Sequence, residues 1–243
     1  LAKEFRRWVL AGVKKTIVDY GMLASGDRVA VGLSGGKDSA VLLHVLNQVR
    51  RVAPVKFELH GVFIDAGWPV EVNVLREFCR REDVPFYYKP TDIAAIVFDI
   101  RQEKNPCSLC ANLRRGALHS TAGELGCNKV ALGHHLDDVL ETFLLNLFFT
   151  GRFQTFTPVT FLDRSGVTVI RPLACLPQEH VHELARLERL PVLENPCPAS
   201  GRTRRQEVRQ VVTELSARYP DLRERFLHAL QTAGLRNLWP ARH

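Results

Sequence analysis

The chain has 243 residues, 46% of them hydrophobic and 24% charged, an ordinary composition for a soluble globular protein. That length supports one large domain, or one domain with a small appendage, and a core that needs no disulfide staples. Disorder, a collagen-like repeat and a coiled coil are excluded, and no apolar run is long enough for a helix to span a bilayer. The net charge of +7 is unevenly placed. Residues 201–243 hold nine Arg and four acids, and residues 1–20 hold five bases and two acids, on a body close to neutral. Basic ends on a neutral body point to a polyanionic partner, with nucleic acid the first candidate; the bland alternative is a solvated helix face.

In chain order, residues 3–20 have helical spacing, with Phe5, Trp8, Val9, Val13 and Ile17 on one side; the segment reads as an amphipathic helix and not as a signal peptide. The absence of an initiator Met suggests that Leu1 is not the natural start. Strands are expected at 28–33, 57–64, 85–88 and 129–132, and helices at 39–50, 69–81, 92–98, 110–125, 136–149 and 177–190. Residues 159–162 and 167–170 flank Asp163-Arg164-Ser165-Gly166 as a hairpin or an extended edge. The tail from Thr203 is helical, interrupted at Pro220. Strands alternating with helices of 10–15 residues imply βαβ units. The expected fold is therefore α/β, a doubly wound, mostly parallel sheet with helices on both faces and helical N- and C-terminal segments. The expected division is 1–20 (N-terminal helix), 21–195 (sheet domain with the first cysteines) and 196–243 (basic helical segment). Ligands of such sheets sit at the carboxyl ends of the strands.

Ser34-Gly35-Gly36-Lys37-Asp38-Ser39 lies between the first strand and the first sheet helix. Two glycines permit a tight turn and close backbone approach, the helix N-terminus offers free N–H groups to an anion, and Lys37 adds positive charge. It is neither a Walker A loop nor a dinucleotide fingerprint. The hexapeptide resembles the PP-loop of the ATP pyrophosphatase superfamily. The resemblance implies binding of ATP, cleavage between its α- and β-phosphates and an adenylylated substrate. Ser34, Gly35, Gly36, Lys37, Asp38 and Ser39 are then the ATP-binding residues, Lys37 and Asp38 are catalytic, and Asp38 is a magnesium ligand. Asp65, ending the second strand, either faces the nucleotide or caps the turn before Gly67. Gly133-His134-His135-Leu136-Asp137-Asp138 ends the fourth strand and opens a helix. It resembles the second signature of tRNA-modifying PP-loop enzymes, which implies that Gly133 approaches the nucleotide and that Asp138 serves magnesium and catalysis. Otherwise both Asp residues are ordinary first-turn residues of a helix.

Three of the six cysteines have distinctive settings. Asn105-Pro106-Cys107-Ser108-Leu109-Cys110 holds a C-x-x-C at a helix start, and Asn195-Pro196-Cys197 repeats the Asn-Pro-Cys tripeptide. Cys79, Cys127 and Cys175 read as structural. By spacing alone the three are open to an iron–sulfur cluster with one uncoordinated iron, to zinc with a further ligand, or to redox or nucleophilic chemistry. The segment Cys107-Ser108-Leu109-Cys110-Ala111-Asn112-Leu113-Arg114-Arg115-Gly116 resembles that of the TtcA-type tRNA 2-thiocytidine synthetases. Thr150-Gly151, Ile170-Arg171-Pro172-Leu173, Pro196-Cys197 and Arg205-Gln206-Glu207-Val208 follow in the same order. The likeness covers residues 5–233.

The resemblance implies a [4Fe–4S] cluster on Cys107, Cys110 and Cys197, with ATP and Mg2+ as the other cofactors. It implies transfer of sulfur to the 2-position of a pyrimidine, a cytidine of the tRNA anticodon loop, through an adenylylated base. Where relatives carry a further Cys after the third ligand, this chain has Pro198-Ala199-Ser200. Arg114, Arg115, Arg204 and Arg205 are expected to contact RNA, with Arg202 and Arg209 extending the track. Trp8, Phe153, Phe156 and Trp239 are candidate stacking groups to which no role is assigned. Expected partners are tRNA and a sulfur donor, either a cysteine desulfurase or free sulfide, with a homodimer open and no membrane contact; the expected compartment is the cytoplasm. Competing readings are a lysidine synthetase-like ligase, a thiolase acting on a uridine, and a zinc-stabilised RNA-binding protein without catalysis.

Overall fold

A computed structural model of the chain describes residues 2–103, 106–194, 196–199 and 203–232. Arg202 and Trp239, both considered above, lie outside the described residues. In order, the elements are α1 (Ala2–Asp19), β1 (Arg28–Leu33), α2 (Lys37–Val52), β2 (Glu58–Asp65), α3 (Val72–Arg81), β3 (Phe86–Pro90), a π-helical turn (Ala95–Ile100), α4 (Pro106–Glu124), β4 (Lys129–Ala131), α5 (Leu136–Thr150), β5 (Val159–Leu162), β6 (Val167–Ile170), α6 (Gln178–Leu187), α7 (Arg204–Arg218) and α8 (Leu222–Thr232).

The six strands form one sheet in the order β3-β2-β1-β4-β6-β5. All neighbours are parallel except the β5–β6 hairpin. Because side chains alternate across a strand, Val29, Val31 and Leu33 of β1 enter one core and Ala30 the other. The first core joins the sheet to α1, α2, α3 and α6 through Val9, Leu42, Leu46, Phe78 and Leu184. The second joins it to α4 through Leu118 and Ala122. Burial on both faces explains why the parallel strands read as near-continuous apolar runs. A small third cluster, Leu140, Val208 and Val212, seats α7 on α5.

β1 and β4 are neighbours in space although about a hundred residues apart, and the connections leave them in opposite directions. Their carboxyl ends therefore form the crevice where a doubly wound sheet binds its ligand. A buried carboxylate aligns the other ends of the pair. Asp27 accepts from Ala24 N–H (2.6 Å), Asn128 Nδ2 (2.8 Å) and Lys129 Nζ (2.8 Å). Burial pushes the Asp27 carboxyl up, but these bonds outweigh it and hold the group below its ordinary range. Asp27 thus stabilises the fold above the ordinary carboxylate range, and that contribution is lost as pH falls through its lowered folded value. Lys129→Met is expected to cost about 3 kcal/mol by leaving a buried charge unpaired. Acid unfolding should then begin at a higher pH than in the parent, read by denaturant melts at several pH values.

Several expected boundaries shift: α3 starts at Val72 instead of 69, and α6 ends at Leu187 instead of 190. α4 starts four residues earlier than the apolar spacing indicated, because Pro106 suits the first position of a helix. The expected short helix at 92–98 is a π-helical turn that starts three residues later and ends two later.

Candidate active site

The loop after β1 closes on itself. Ser39 Oγ donates to Gly36 O (2.8 Å) and accepts from Ser34 N–H (3.1 Å), while Ser34 Oγ accepts from Gly36 N–H (3.2 Å). Gly35 has φ +84°, the left-handed region that favours glycine. Lys37 and Asp38 occupy the first turn of α2, whose N-terminus attracts anions. Asp38 Oδ1 is buried without a hydrogen-bond partner, 3.9 Å from His182 Nε2, itself buried and unpartnered. Burial and nearby Lys37 lower the His182 pKa despite the attraction of Asp38, so the ring is neutral at neutral pH and leaves the carboxylate uncompensated. An orphaned carboxylate oxygen beside a phosphate-type loop fits a hard divalent cation, which takes oxygen ligands.

Gly133 brings the second signature against this loop. A Cβ at Gly133 would stand 2.9 Å from the backbone C and O of Asp38 and 3.1 Å from Ser39 N. Its observed contact is thus with the loop backbone, and only a glycine permits it. Gly133→Ala is expected to push the two loops apart, cost about 1–3 kcal/mol and weaken ATP binding, read by melting temperature and nucleotide titration.

Asp138 Oδ2 accepts from His135 N–H (3.0 Å) as half of a capping box, and Oδ1 accepts from Arg205 Nη1 (3.3 Å). Both oxygens are engaged, in contrast to Asp38. Asp137 Oδ2 accepts from Gln178 N–H (2.7 Å), and its Oδ1 accepts from Arg223 Nε (2.6 Å). Asp65 caps the turn and also stands beside the loop. It accepts from Gly67 N–H (2.8 Å) and from the Tyr88 hydroxyl, capping the turn, and it lines a cavity of about 240 Å³ with Ser34, Gly35 and Gly36.

The cysteine segments converge on the same end of the sheet. Cys107 and Cys110 are one turn apart at the start of α4, on one face of the helix. Burial raises the Cys110 thiol, Arg114 one turn along opposes this, and Cys197 and Cys107 raise it further, so both other thiols lie within electrostatic reach of Cys110. Cys107 is exposed, and Cys110 and Cys197 are half-buried. Among the described residues no three His, Cys, Asp or Glu side chains are gathered to hold a single metal ion. Three thiols from two segments, with one face open, fit a cluster that leaves one iron uncoordinated by protein.

The other three thiols are elsewhere. Cys79 is fully buried against Gly61, with its pKa pushed up to about 12 by burial; Cys127 is buried in the second core; Cys175 is half-buried, its thiol raised by burial against the opposing effect of Thr16 and Tyr20.

Two contacts join the phosphate loop to the thiols. Leu193 N–H donates to Gly35 O (2.8 Å), so the strand of chain leading to Cys197 is pinned to the loop. Arg114 lines both the 240 Å³ cavity and an adjoining one of about 420 Å³. The second cavity has an apolar floor including Ile64, Leu118 and Leu132, with Arg114, Arg115, Arg171 and Arg205 around it.

The tail arginines do not form a single outward track. Arg205 turns inward to Asp138, Glu141 (3.2 Å) and Thr142. Arg209 bonds Glu141 (2.8 Å), a fully buried carboxylate. Arg204 is exposed, over the Phe149 ring. Of the stacking candidates, Trp8 packs on Phe5 and His180, Phe153 on Phe143, and Phe156 lies beneath His134 and Arg171. Sequence reasoning singled out neither His182, Leu193 nor Arg171 as a site residue. Of these, only Arg171 carried a signal, its place in the Ile170-Arg171-Pro172-Leu173 run.

Fold, loop and strand order define an α/β nucleotide-binding protein of the PP-loop type, and the PP-loop domain model matches residues 9–215. A tRNA-cytidine(32) 2-sulfurtransferase of Geobacter sulfurreducens is 41% identical over 90% of this chain and 86% of its own length. One of Pelobacter propionicus is 39% identical over 96% and 88%. The chain belongs to the tRNA-cytidine(32) 2-sulfurtransferase family of PP-loop proteins. The U34-tRNA thiolase NcsA of Methanococcus maripaludis, solved with its [4Fe-4S] cluster, superposes with a TM-score of 0.78 at 26% identity, covering 95% of this chain and 79% of that one. NMN synthetase of Francisella tularensis shares the fold at a TM-score of 0.50 and 18% identity. No helix among the described residues is long and apolar enough to cross a membrane.

Proposed function

We propose that this protein is an ATP-dependent tRNA thiolase that replaces the C2 oxygen of cytidine 32 by sulfur. The observation that carries this reading is the shared wall: the phosphate loop is hydrogen-bonded to the segment bearing Cys197, and Arg114 faces both cavities. An activation site and a set of thiols so joined suit a reaction that first activates a carbonyl and then delivers sulfur to the same carbon.

In this reading ATP lies with its phosphates along Ser34–Ser39 and its adenosine toward Asp65. Lys37 and the α2 N-terminus stabilise the pyrophosphate as the bond between α- and β-phosphorus breaks. The Mg2+ ligand is Asp38, whose free oxygen faces the loop. Asp138 acts beside it by holding Arg205 at the cavity wall. The base occupies the 420 Å³ cavity on its apolar floor, its C2 oxygen toward the α-phosphorus. Adenylylation converts that oxygen into part of AMP, so the C2–O bond can break with AMP as leaving group while a C2–S bond forms. Cys107, Cys110 and Cys197 would hold a [4Fe–4S] cluster, which supplies sulfide as the nucleophile. Arg114 is placed to balance the negative charge of the phosphates on one side and the thiolates on the other. Arg115 and the exposed Arg204 serve the RNA backbone. The protein works in the cytoplasm with a cysteine desulfurase or free sulfide as source, and a homodimer is compatible with the exposed faces of α4 and α5.

The relatives acting on cytidine are about 40% identical to this chain, against 26% for the U34 thiolase, which favours cytidine over uridine. The test is incubation of reconstituted protein, ATP, Mg2+ and sulfide with tRNA transcripts carrying C32, followed by nucleoside mass spectrometry. Formation of 2-thiocytidine with release of AMP and pyrophosphate supports the reading. Thiouridine alone, or no thiolated nucleoside, overturns it.

A further inference from the structure

Arg171 leaves β6 and reaches into the 420 Å³ cavity beside Ile64 and Leu132. Its Nη1 donates to Thr157 O (2.7 Å) and Thr160 Oγ1 (3.1 Å), and its guanidinium lies over the Phe156 ring at 4.9 Å. The side chain is thus fixed in place. Its Nε is buried with no hydrogen-bond partner. Among the described residues no carboxylate stands within ion-pair distance of it.

Its charged neighbours are of the wrong sign. Burial and then Arg115 bring Arg171 down to about 10. His119 is lowered by burial, Arg115 and Arg171; His134 is lowered to about 4, chiefly by burial, with Arg171 and Arg205 adding to this against Asp138. Both imidazoles are therefore neutral, and Arg171 remains an oriented, half-buried cation with a buried Nε, next to a second cation. Holding a buried charge without a counter-charge is costly. The arrangement makes sense when an anion enters from outside.

An Arg fork matches phosphate geometry. The phosphates of ATP already have the Ser34–Ser39 loop on the other side of Arg114. The apolar floor beside Arg171 suits a base, whose backbone would bring its own phosphate. We infer that Arg171 and Arg115 form a second phosphate site, which holds a phosphodiester of the substrate RNA next to the reacting nucleotide. This rests on the thiolase reading and adds a residue that fixes which nucleotide enters the cavity.

The experiment uses anticodon stem-loop RNAs in which single phosphodiesters are replaced by neutral methylphosphonates, bound to full-length protein without ATP. One replacement flanking the target cytidine is expected to weaken binding by the parent protein about tenfold, the scale of a charge-assisted contact. The same replacement should cost Arg171→Lys and Arg115→Gln far less, because the partner is already impaired. Arg115 is on an exposed helix face, so Arg115→Gln carries the test should Arg171→Lys fold poorly. Equal effects of every replacement in parent and variants would overturn the inference. So would variants that bind RNA normally and lose only ATP affinity, since Arg171 would then serve the nucleotide. If the parent neither binds these RNAs nor thiolates them once ATP, Mg2+ and sulfide are added, the thiolase reading fails first and the inference with it; thiolation under those conditions without dependence on the flanking phosphate sinks the inference alone.

Discussion

Asp38→Ala is expected to reduce pyrophosphate release and thiolation by at least about 10²–10³-fold, with the visible spectrum of the cluster unchanged. Among the described residues Asp38 offers the one carboxylate oxygen at the loop that is buried and unpartnered, whereas Asp138 has both oxygens engaged. On the proposed reading, loss of Asp38 removes the cation's ligand and leaves the phosphates to repel one another. The thiols are carried by α4 and the segment after α6, so they do not depend on this side chain. The measurement is pyrophosphate release and 2-thiocytidine formation beside an absorption spectrum. An active Asp38→Ala protein would remove the loop from the mechanism. A spectrum lost together with activity would mean that the variant fails structurally, which a melting curve reports.

Changing Cys107, Cys110 or Cys197 to Ser should abolish both iron binding and thiolation. Changing Cys79, Cys127 or Cys175 should preserve both. The separation follows from position: Cys107 and Cys197 lie within electrostatic reach of Cys110, while Cys79 and Cys127 are sealed in the core and Cys175 lines a separate cavity with Tyr20. Cys79→Ser is expected to lower stability by about 1–2 kcal/mol, since it puts a hydroxyl into a packed apolar contact with Gly61. Iron analysis after anaerobic reconstitution checks all six. Retention of full iron by Cys197→Ser would show that the third ligand lies elsewhere, and loss of iron in Cys175→Ser would show a fully coordinated cluster.

Much of the sheet could be read from the chain because parallel strands are short, apolar on both faces and punctuated by turns. The hairpin at 159–162 and 167–170 falls where the Asp163–Gly166 turn put it. The order of the strands was not legible: nothing local says that β4 lies beside β1. The loop hexapeptide and the C-x-x-C were visible as motifs because their chemistry depends on near neighbours. What joins them was not, since the Leu193–Gly35 bond and the Gly133–Asp38 contact link segments about a hundred or more residues apart. Arg205 illustrates the limit of charge counting. As one of nine tail arginines it looks free for a polyanion, yet it faces Asp138 and Glu141, because α7 packs on α5 through Leu140, Val208 and Val212. Arg171 fails in the opposite sense, since an arginine announces itself only when the expected acid is missing from around it.

The three thiols also arrive at very different times. Eighty-seven residues separate Cys110 from Cys197, which at ordinary rates of synthesis of about 5–20 residues per second is a wait of several seconds. During that interval the first pair sits on a nascent chain with a sheet still lacking β4 and β6, so it can bind adventitious metal or oxidise but cannot build the three-thiol site. The bond from Leu193 to Gly35 lies four residues before the last of the three thiols, so the late segment has a docking point on the loop after β1. A site built on all three thiols can form only once Cys197 has been made.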